Sequence, residues 1–392
     1  MLENRYLEKY IIEDLREKMV FIGGPRQVGK TTLAKIIAEK NGAYVYLNWD
    51  SREDRKLILA EKFPAEIELA IFDEIHKYKH WKNYIKGIYD KNKGKLKIIV
   101  TGSSRLDVYR RGGDSLLGRY QYYRLHPFTV AEEIKGDNEP RPGKSLDFHV
   151  PDASALAGVF ENLFEFGGFP EPYLKKNRRV SRRFHNSRLE KLVKEDIRDL
   201  ESVRDLSGLQ ILVDILPEKV GSLLSLNSMR EDLQVTHKTI ASWMDVLEKM
   251  YYHFRIYPYA STAIKSLRKE PKVYLWDWSE VADESARFEN MLASHLLKFV
   301  HLLYDAYGYK AELRYVRDAE ARETDFIIIL KGKPWLAVEV KLTDQKISKN
   351  LLYFKEKLKI PFCYQVVKTS GIDFTQSGIR LMSGDKFLTA LC

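Results

Sequence analysis

Residues 24–31 read Gly-Pro-Arg-Gln-Val-Gly-Lys-Thr, and no other stretch constrains the chain as tightly. The octet follows the apolar run Met19–Gly23 and opens the helical stretch Thr32–Lys40 (TLAKIIAEK). A glycine-rich turn from strand to helix points successive backbone N–H groups at one place, and the helix N-terminus adds its positive dipole end. That arrangement suits a phosphate group. The spacing G-x-x-x-x-G-K-T makes the stretch Gly24, Pro25, Arg26, Gln27, Val28, Gly29, Lys30, Thr31 and Thr32 a candidate nucleotide cradle. Lys30 is expected to reach the β- and γ-phosphates, and the Thr31 hydroxyl to hold Mg²⁺.

A second motif supports this reading. Leu69-Ala70-Ile71-Phe72-Asp73-Glu74 is an apolar strand that delivers two carboxylates at its carboxyl end, where open α/β sheets bind ligands. Asp73 is expected to support Mg²⁺, and Glu74 to polarise an attacking water as general base. The buried run Lys97–Thr101 ends in Gly102, Ser103 and Ser104. Either serine suits a γ-phosphate sensor, and either equally suits a helix cap. Leu116-Leu117-Gly118-Arg119 offers Arg119 as a candidate arginine finger. Strand candidates at Met19–Gly23, Ala43–Trp49, Leu69–Asp73, Leu96–Thr101 and Tyr120–Leu125 alternate with helical stretches, which is the pattern of a parallel α/β sheet.

The strings GPRQVGKTTL, LAIFDEIHK, VTGSSRLDV, LLGRY and LHPFTVAEE together resemble the prokaryotic AAA-type ATPases of the AAA+ superfamily that carry a C-terminal domain of unknown function. The likeness continues through Gly167-Gly168-Phe169-Pro170-Glu171, Asp196-Ile197, Lys272-Val273-Tyr274 with Asp277, and Phe288-Glu289-Asn290. It implies ATP and Mg²⁺ as cofactors and ATP hydrolysis as the activity. The stretch Pro127–Glu132 departs from the usual residues of its motif and carries no role at this level. Asp73-Glu74-Ile75-His76 also resembles the second motif of DEAH helicases. Those enzymes close two sheet domains on nucleotide, and only one is readable here.

The fold class expected is a P-loop α/β parallel-sheet domain over 1–135, then a linker and helical segment over 136–204. A winged helix-turn-helix over 205–260 and an α+β domain over 261–392 complete the chain. Met229–Ile240 reads as helix, turn and helix, with Leu233, Val235, Ile240 and Leu247 inward and His237, Lys238 and Ser242 outward. Such a module either enters a DNA groove or serves only for packing. In the last segment, Glu323–Leu330 and Trp335–Lys341 flank a glycine turn and read as a β-hairpin. A three-residue loop sets Asp325 opposite Glu339, whereas a four-residue loop sets it opposite Val340. Asp325, Glu339 and Lys341 resemble the D…E-x-K core of the PD-(D/E)XK nuclease fold. That likeness implies a site for Mg²⁺ or Mn²⁺, with Glu289 as a further metal-binding carboxylate. The alternative is an inactive nuclease-like fold in a signalling or scaffold ATPase with protein partners.

Composition sets limits. The 392 residues carry a net charge of +10, and only two cysteines, Cys363 and Cys392, are present. Two thiols give neither a disulfide framework nor a Cys-rich zinc site. No apolar run nears the roughly 18 residues of a membrane span, and the first residues lack signal-peptide architecture. A cytoplasmic protein without membrane contact is the expectation, with ATP, DNA and a second copy or protein partner as candidate partners. Lys175–Arg188 holds seven basic residues and no acid. Lys175, Arg178, Arg179, Arg182 and Arg183 then form either a solvated helix face or a strip that contacts phosphates.

Overall fold

The strand Met19–Gly23 (β1) is buried along its whole length, as a strand covered on both faces must be. It is the hub of a five-stranded parallel sheet with Tyr44–Asn48 (β2), Leu69–Asp73 (β3), Lys97–Gly102 (β4) and Tyr120–Arg124 (β5) in the order β2-β3-β4-β1-β5. This is a P-loop NTPase arrangement, and each strand falls within about a residue of its expected position. The computed structural model describes residues 5–64, 66–102, 116–135, 139–148, 154–193, 205–260, 270–343 and 346–392.

The chain divides into two compact units, residues 1–126 and 127–392. In the first, Glu8–Asp14 (α1), Lys30–Glu39 (α2), Arg52–Leu59 (α3) and Trp81–Lys91 (α4) accompany the sheet. Ser51 starts α3 by accepting the Asp54 N–H. Met19, Phe21, Phe72, Ile85, Ile88 and Val100 share one core cluster.

The second unit opens with Val130–Glu133 (α5), followed by Leu156–Phe166 (α6), Pro170–Lys175 (α7) and Arg178–Lys191 (α8). Leu206–Ile215 (α9), Leu226–Asp232 (α10) and His237–Lys249 (α11) precede an antiparallel pair, His253–Ile256 (β6) and Lys272–Leu275 (β7). Thr236 caps α11 by accepting the Thr239 N–H. Ile240 and Leu247 are buried, Leu233 and Val235 half-buried, and His237 and Lys238 exposed.

The long helix Glu284–Asp305 (α12), capped by Asp283, leads into a six-stranded sheet. Its strands are Ala311–Arg317 (β8), Glu323–Leu330 (β9), Lys333–Lys341 (β10), Phe362–Val367 (β11), Asp373–Gln376 (β12) and Ile379–Ser383 (β13), ordered β12-β13-β11-β10-β9-β8. Lys349–Leu358 (α13) and Gly384–Leu388 (α14) complete it. Ile327, Ile329 and Ala337 pack with Leu351 and Ile360 on one face, while Phe326 and Ile328 are buried on the other. This is the period-two alternation of a sheet covered on both sides. Among the described residues, no helix is long and apolar enough to cross a membrane.

The β9–β10 turn differs from both expected loops. Leu330 pairs with Lys333, which leaves a two-residue turn of Lys331 and Gly332, both at positive φ. That is the twist-compatible hairpin geometry. A bulge between Pro334 and Leu336 then shifts the register, so the ladder's last pair is Val338 with Phe326, the residues that adjoin Glu339 and Asp325.

Candidate nucleotide site and C-terminal carboxylate cluster

The glycine loop takes the shape that its spacing predicts. Gly24 has φ +149°, and a Cβ there would fall 2.4 Å from the Leu125 carbonyl oxygen. Gly29 has φ 99° and opens α2. Only glycine adopts these conformations without strain. Pro25 and Val28 are buried, Arg26 half-buried, and Gln27 and Thr32 exposed. Lys30 is buried, and its ammonium donates to the carbonyls of Gly24 at 3.0 Å and Pro25 at 2.7 Å. The lysine therefore arches over the loop it belongs to.

Thr31 donates its hydroxyl to Asp73 Oδ2 at 2.9 Å. The same oxygen accepts Tyr46 Oη at 2.8 Å, and Asp73 Oδ1 accepts Thr101 Oγ1 at 2.5 Å. Burial and the Asp73 hydrogen bond raise the Tyr46 pKa, so its hydroxyl stays a donor. A hydroxyl and a carboxylate held together at the loop are hard oxygen ligands of the kind Mg²⁺ takes. Thr31 and Asp73 fit that ion.

Glu74 follows with a left-handed backbone, φ 55°, and its N–H donates to the Thr101 carbonyl at 3.0 Å. Its carboxylate lies 3.6 Å from His76 Nε2 and 3.8 Å from Lys77 Nζ. Burial lowers the His76 pKa. Ser103, with Ser104, lies outside the described residues.

Arg119 lies apart from this cluster. It immediately precedes β5, whose first residue pairs with Met19 at the start of β1, whereas the loop follows Gly23 at the other end. Five parallel residues at ~3.3 Å each separate the two edges. Arg119 instead pairs with Asp90 at 2.8 Å.

One residue escaped sequence reasoning. Arg5, almost fully buried, donates to the Val28 carbonyl at 3.0 Å and to the His126 carbonyl at 2.5 Å. It ties the glycine loop to the chain just past β5. An isolated arginine far upstream of any motif carries no spacing signal.

In the second unit, Asp325 on β9, Glu339 and Lys341 on β10 and Glu289 on α12 converge. Val340 N–H donates to Asp325 Oδ2 at 2.9 Å, and Lys341 Nζ lies 2.9 Å from Glu339 Oε1. Ser348 Oγ donates to the same Glu339 oxygen at 3.2 Å, and the buried Oε2 has no hydrogen-bond partner among the described residues. Burial and then the charge of Asp325 push both Glu289 and Glu339 up to about 7. Glu289 accepts the Tyr274 hydroxyl at 2.7 Å.

A cation from the chain already sits here. Lys272 Nζ lies 2.7 Å from Glu323, 3.4 Å from Glu289 and 3.6 Å from Asp325. Among the described residues, no group of three or more His, Cys, Asp or Glu side chains is arranged to hold a metal ion. The donor set does not fit a divalent ion as it stands.

The basic stretch splits between surface and interior. Lys175, Arg178, Arg179, Arg182 and Arg183 are exposed, with Arg178 paired to Glu165 at 2.6 Å. Arg188 turns inward to Glu280 at 3.0 Å and Asp277 at 3.4 Å, its guanidinium 4.2 Å from the Phe169 ring centroid. Asp277 also faces His185 at 3.4 Å.

Residues 16–134 match the family model described as AAA domain. The nucleotide part is AAA-like. This match and the loop geometry support an AAA-type P-loop ATPase that takes ATP and Mg²⁺. Residues 158–282 and 284–383 match two further models, each described as a domain of unknown function. The chain is 26% identical to Uncharacterized protein MJ1637 of Methanocaldococcus jannaschii, over 90% of this chain and 81% of that protein. It is 22% identical to Uncharacterized protein MJ1544 of the same organism, over 91% and 81%. A Walker-type ATPase of Pyrococcus abyssi is similar at 14% identity and a TM-score of 0.43, over 73% of this chain and 96% of that one.

Proposed function

We propose that the chain is a Mg²⁺-dependent ATPase whose nucleotide state controls a DNA-contacting C-terminal unit. The observation that carries the ATPase reading is the Thr31–Asp73 hydrogen bond, which joins the glycine loop to the acidic strand end. The backbone N–H groups of the loop and Lys30 bind the phosphates. Thr31 and Asp73 hold the ion, which neutralises charge on the phosphate oxygens when bound. Glu74, one residue beyond Asp73, accepts the proton of the attacking water. Arg119 acts as a finger only on a neighbouring copy, because its own loop lies at the opposite sheet edge.

Phosphate release by the full chain, with Lys30→Ala as control, tests the nucleotide assignment. Equal rates in both sink it. For DNA, the exposed basic residues at the end of α7 and on α8 supply phosphate contacts, so binding weakens as salt rises. Neutralising Lys175, Arg178, Arg179, Arg182 and Arg183 together should flatten that dependence. Absence of binding at low salt overturns the DNA reading.

The second reading is a signalling or scaffold ATPase with protein partners and a silent nuclease-like fold. Lys272 among the carboxylates favours it. Incubating DNA with Mg²⁺ or Mn²⁺ separates the two readings: cleavage abolished by Asp325→Ala and by Lys341→Ala restores an active nuclease.

A further inference from the structure

We propose that Lys272 is the resident counter-cation of the C-terminal carboxylate cluster, occupying with its ammonium the place that a divalent ion takes between Glu289 and Asp325. The inference rests on the nuclease-like reading of Asp325, Glu339 and Lys341.

Three observations carry it. First, Lys272 is 3% exposed, and a buried ammonium persists only where carboxylates surround it. It faces three, Glu323, Glu289 and Asp325, within 3.6 Å. Second, one oxygen of each acid that Lys272 lies between is already committed, whereas Glu339 Oε2, further off, has no partner among the described residues. Glu289 Oε1 accepts both Tyr274 Oη and Lys272 Nζ, and Asp325 Oδ2 accepts the Val340 N–H. Third, the lysine comes from outside the sheet that carries the acids. It is the first residue of β7, paired with Ile256 of β6, whereas Glu323 and Asp325 lie on β9 and Glu289 on α12. The antiparallel pair that follows α11 thus supplies the charge that balances the cluster. Arg317, 2.9 Å from Glu323, adds a second cation at the rim. On the far side, Lys341 balances Glu339. With Glu289 Oε1 and Asp325 Oδ2 engaged in this way, the ammonium stands where the oxygen ligands of a hard divalent ion would have to converge.

The decisive experiment is Mn²⁺ binding by the nucleotide-free full chain, read by electron paramagnetic resonance, with Lys272→Met, Lys272→Gln, Asp325→Asn and Lys272→Met/Asp325→Asn alongside. The wild type should take up no Mn²⁺ that Asp325→Asn removes. Lys272→Met should gain one ion per chain, lost again in the double variant. If Lys272→Met does not fold, Lys272→Gln keeps a polar head in the same space and should show the same gain. An Asp325-dependent ion in the wild type overturns the proposal and leaves the nuclease-like site standing. No ion in the wild type or in a folded Lys272 variant overturns both.

Discussion

Thr31 and Asp73, 42 residues apart, meet at 2.9 Å and bring a hydroxyl and a carboxylate to one point at the edge of the parallel sheet. Tyr46 is the support of that pair, since its hydroxyl reaches the same Asp73 oxygen at 2.8 Å. Tyr46→Phe removes the support without touching the loop. The Mg²⁺ concentration for half-maximal ATPase activity should rise by about 10-fold, the usual cost of losing an outer-shell partner. Unchanged Mg²⁺ dependence would show that Tyr46 only fills space.

Arg5 bonds the carbonyls of Val28 and His126 from a single guanidinium. Arg5→Ala should destabilise the first unit by about 1–3 kcal/mol, because buried acceptors lose a charged partner. It should also raise the KM for ATP, since Val28 belongs to the cradle. Arg5→Lys replaces two separate donor nitrogens by one, so it should rescue only part of the loss. Thermal unfolding with and without nucleotide checks both effects.

Lys298 and Glu132 form a buried ion pair at 2.6 Å, and Lys298 also donates to Thr129 at 2.9 Å. This pair gives the Pro127–Glu132 stretch a structural role, because it pins α5 to α12. Lys298→Met alone strands a buried carboxylate and should cost about 3–5 kcal/mol. Lys298→Met with Glu132→Leu should recover most of that loss, as measured by urea denaturation. Additive losses would show that the two residues do not act as a pair.

His295 is fixed as one tautomer. Its Nδ1–H donates to the Met291 carbonyl at 2.8 Å, so Nε2 is bare and accepts the Val130 N–H at 3.2 Å. Burial lowers its pKa from 6.5 to about 3, and burial likewise lowers that of His253 to about 4. Both are neutral in the folded protein and protonate on unfolding below pH 6.5. Their stabilising contribution is therefore complete above pH 6.5 and is lost as pH falls towards 4 and 3, by up to about 1.4 kcal/mol per pH unit for each. Thermal midpoints between pH 7 and 5 should fall less steeply in His295→Gln than in the wild type.

The nucleotide loop was legible because its chemistry is backbone chemistry: glycines at set spacing dictate the turn, and an apolar strand must end beside it. The strands of the first sheet were legible for a similar reason, as continuous buried runs with few alternatives. The β9–β10 register was not, since a bulge at Trp335 leaves no mark in a run of apolar residues. Lys272 was visible as part of a motif but not as a member of the acid cluster, because 53 positions of chain and a change of sheet separate it from Asp325. For Arg119 the motif was silent on placement. Its motif says which residue is positive but nothing about which end of the strand it occupies.

Arg5 holds the carbonyl of Val28 with one nitrogen and that of His126 with another, and His126 is the last residue before the chain passes into the second unit. The covalent exit from the sheet and the wall of the phosphate cradle thus hang on one guanidinium. The carbonyl of Val28 and that of His126 are thereby held to one planar fork, 98 positions of chain apart. One side chain from ahead of the first strand thus serves both the cradle wall and the residue where the first unit ends.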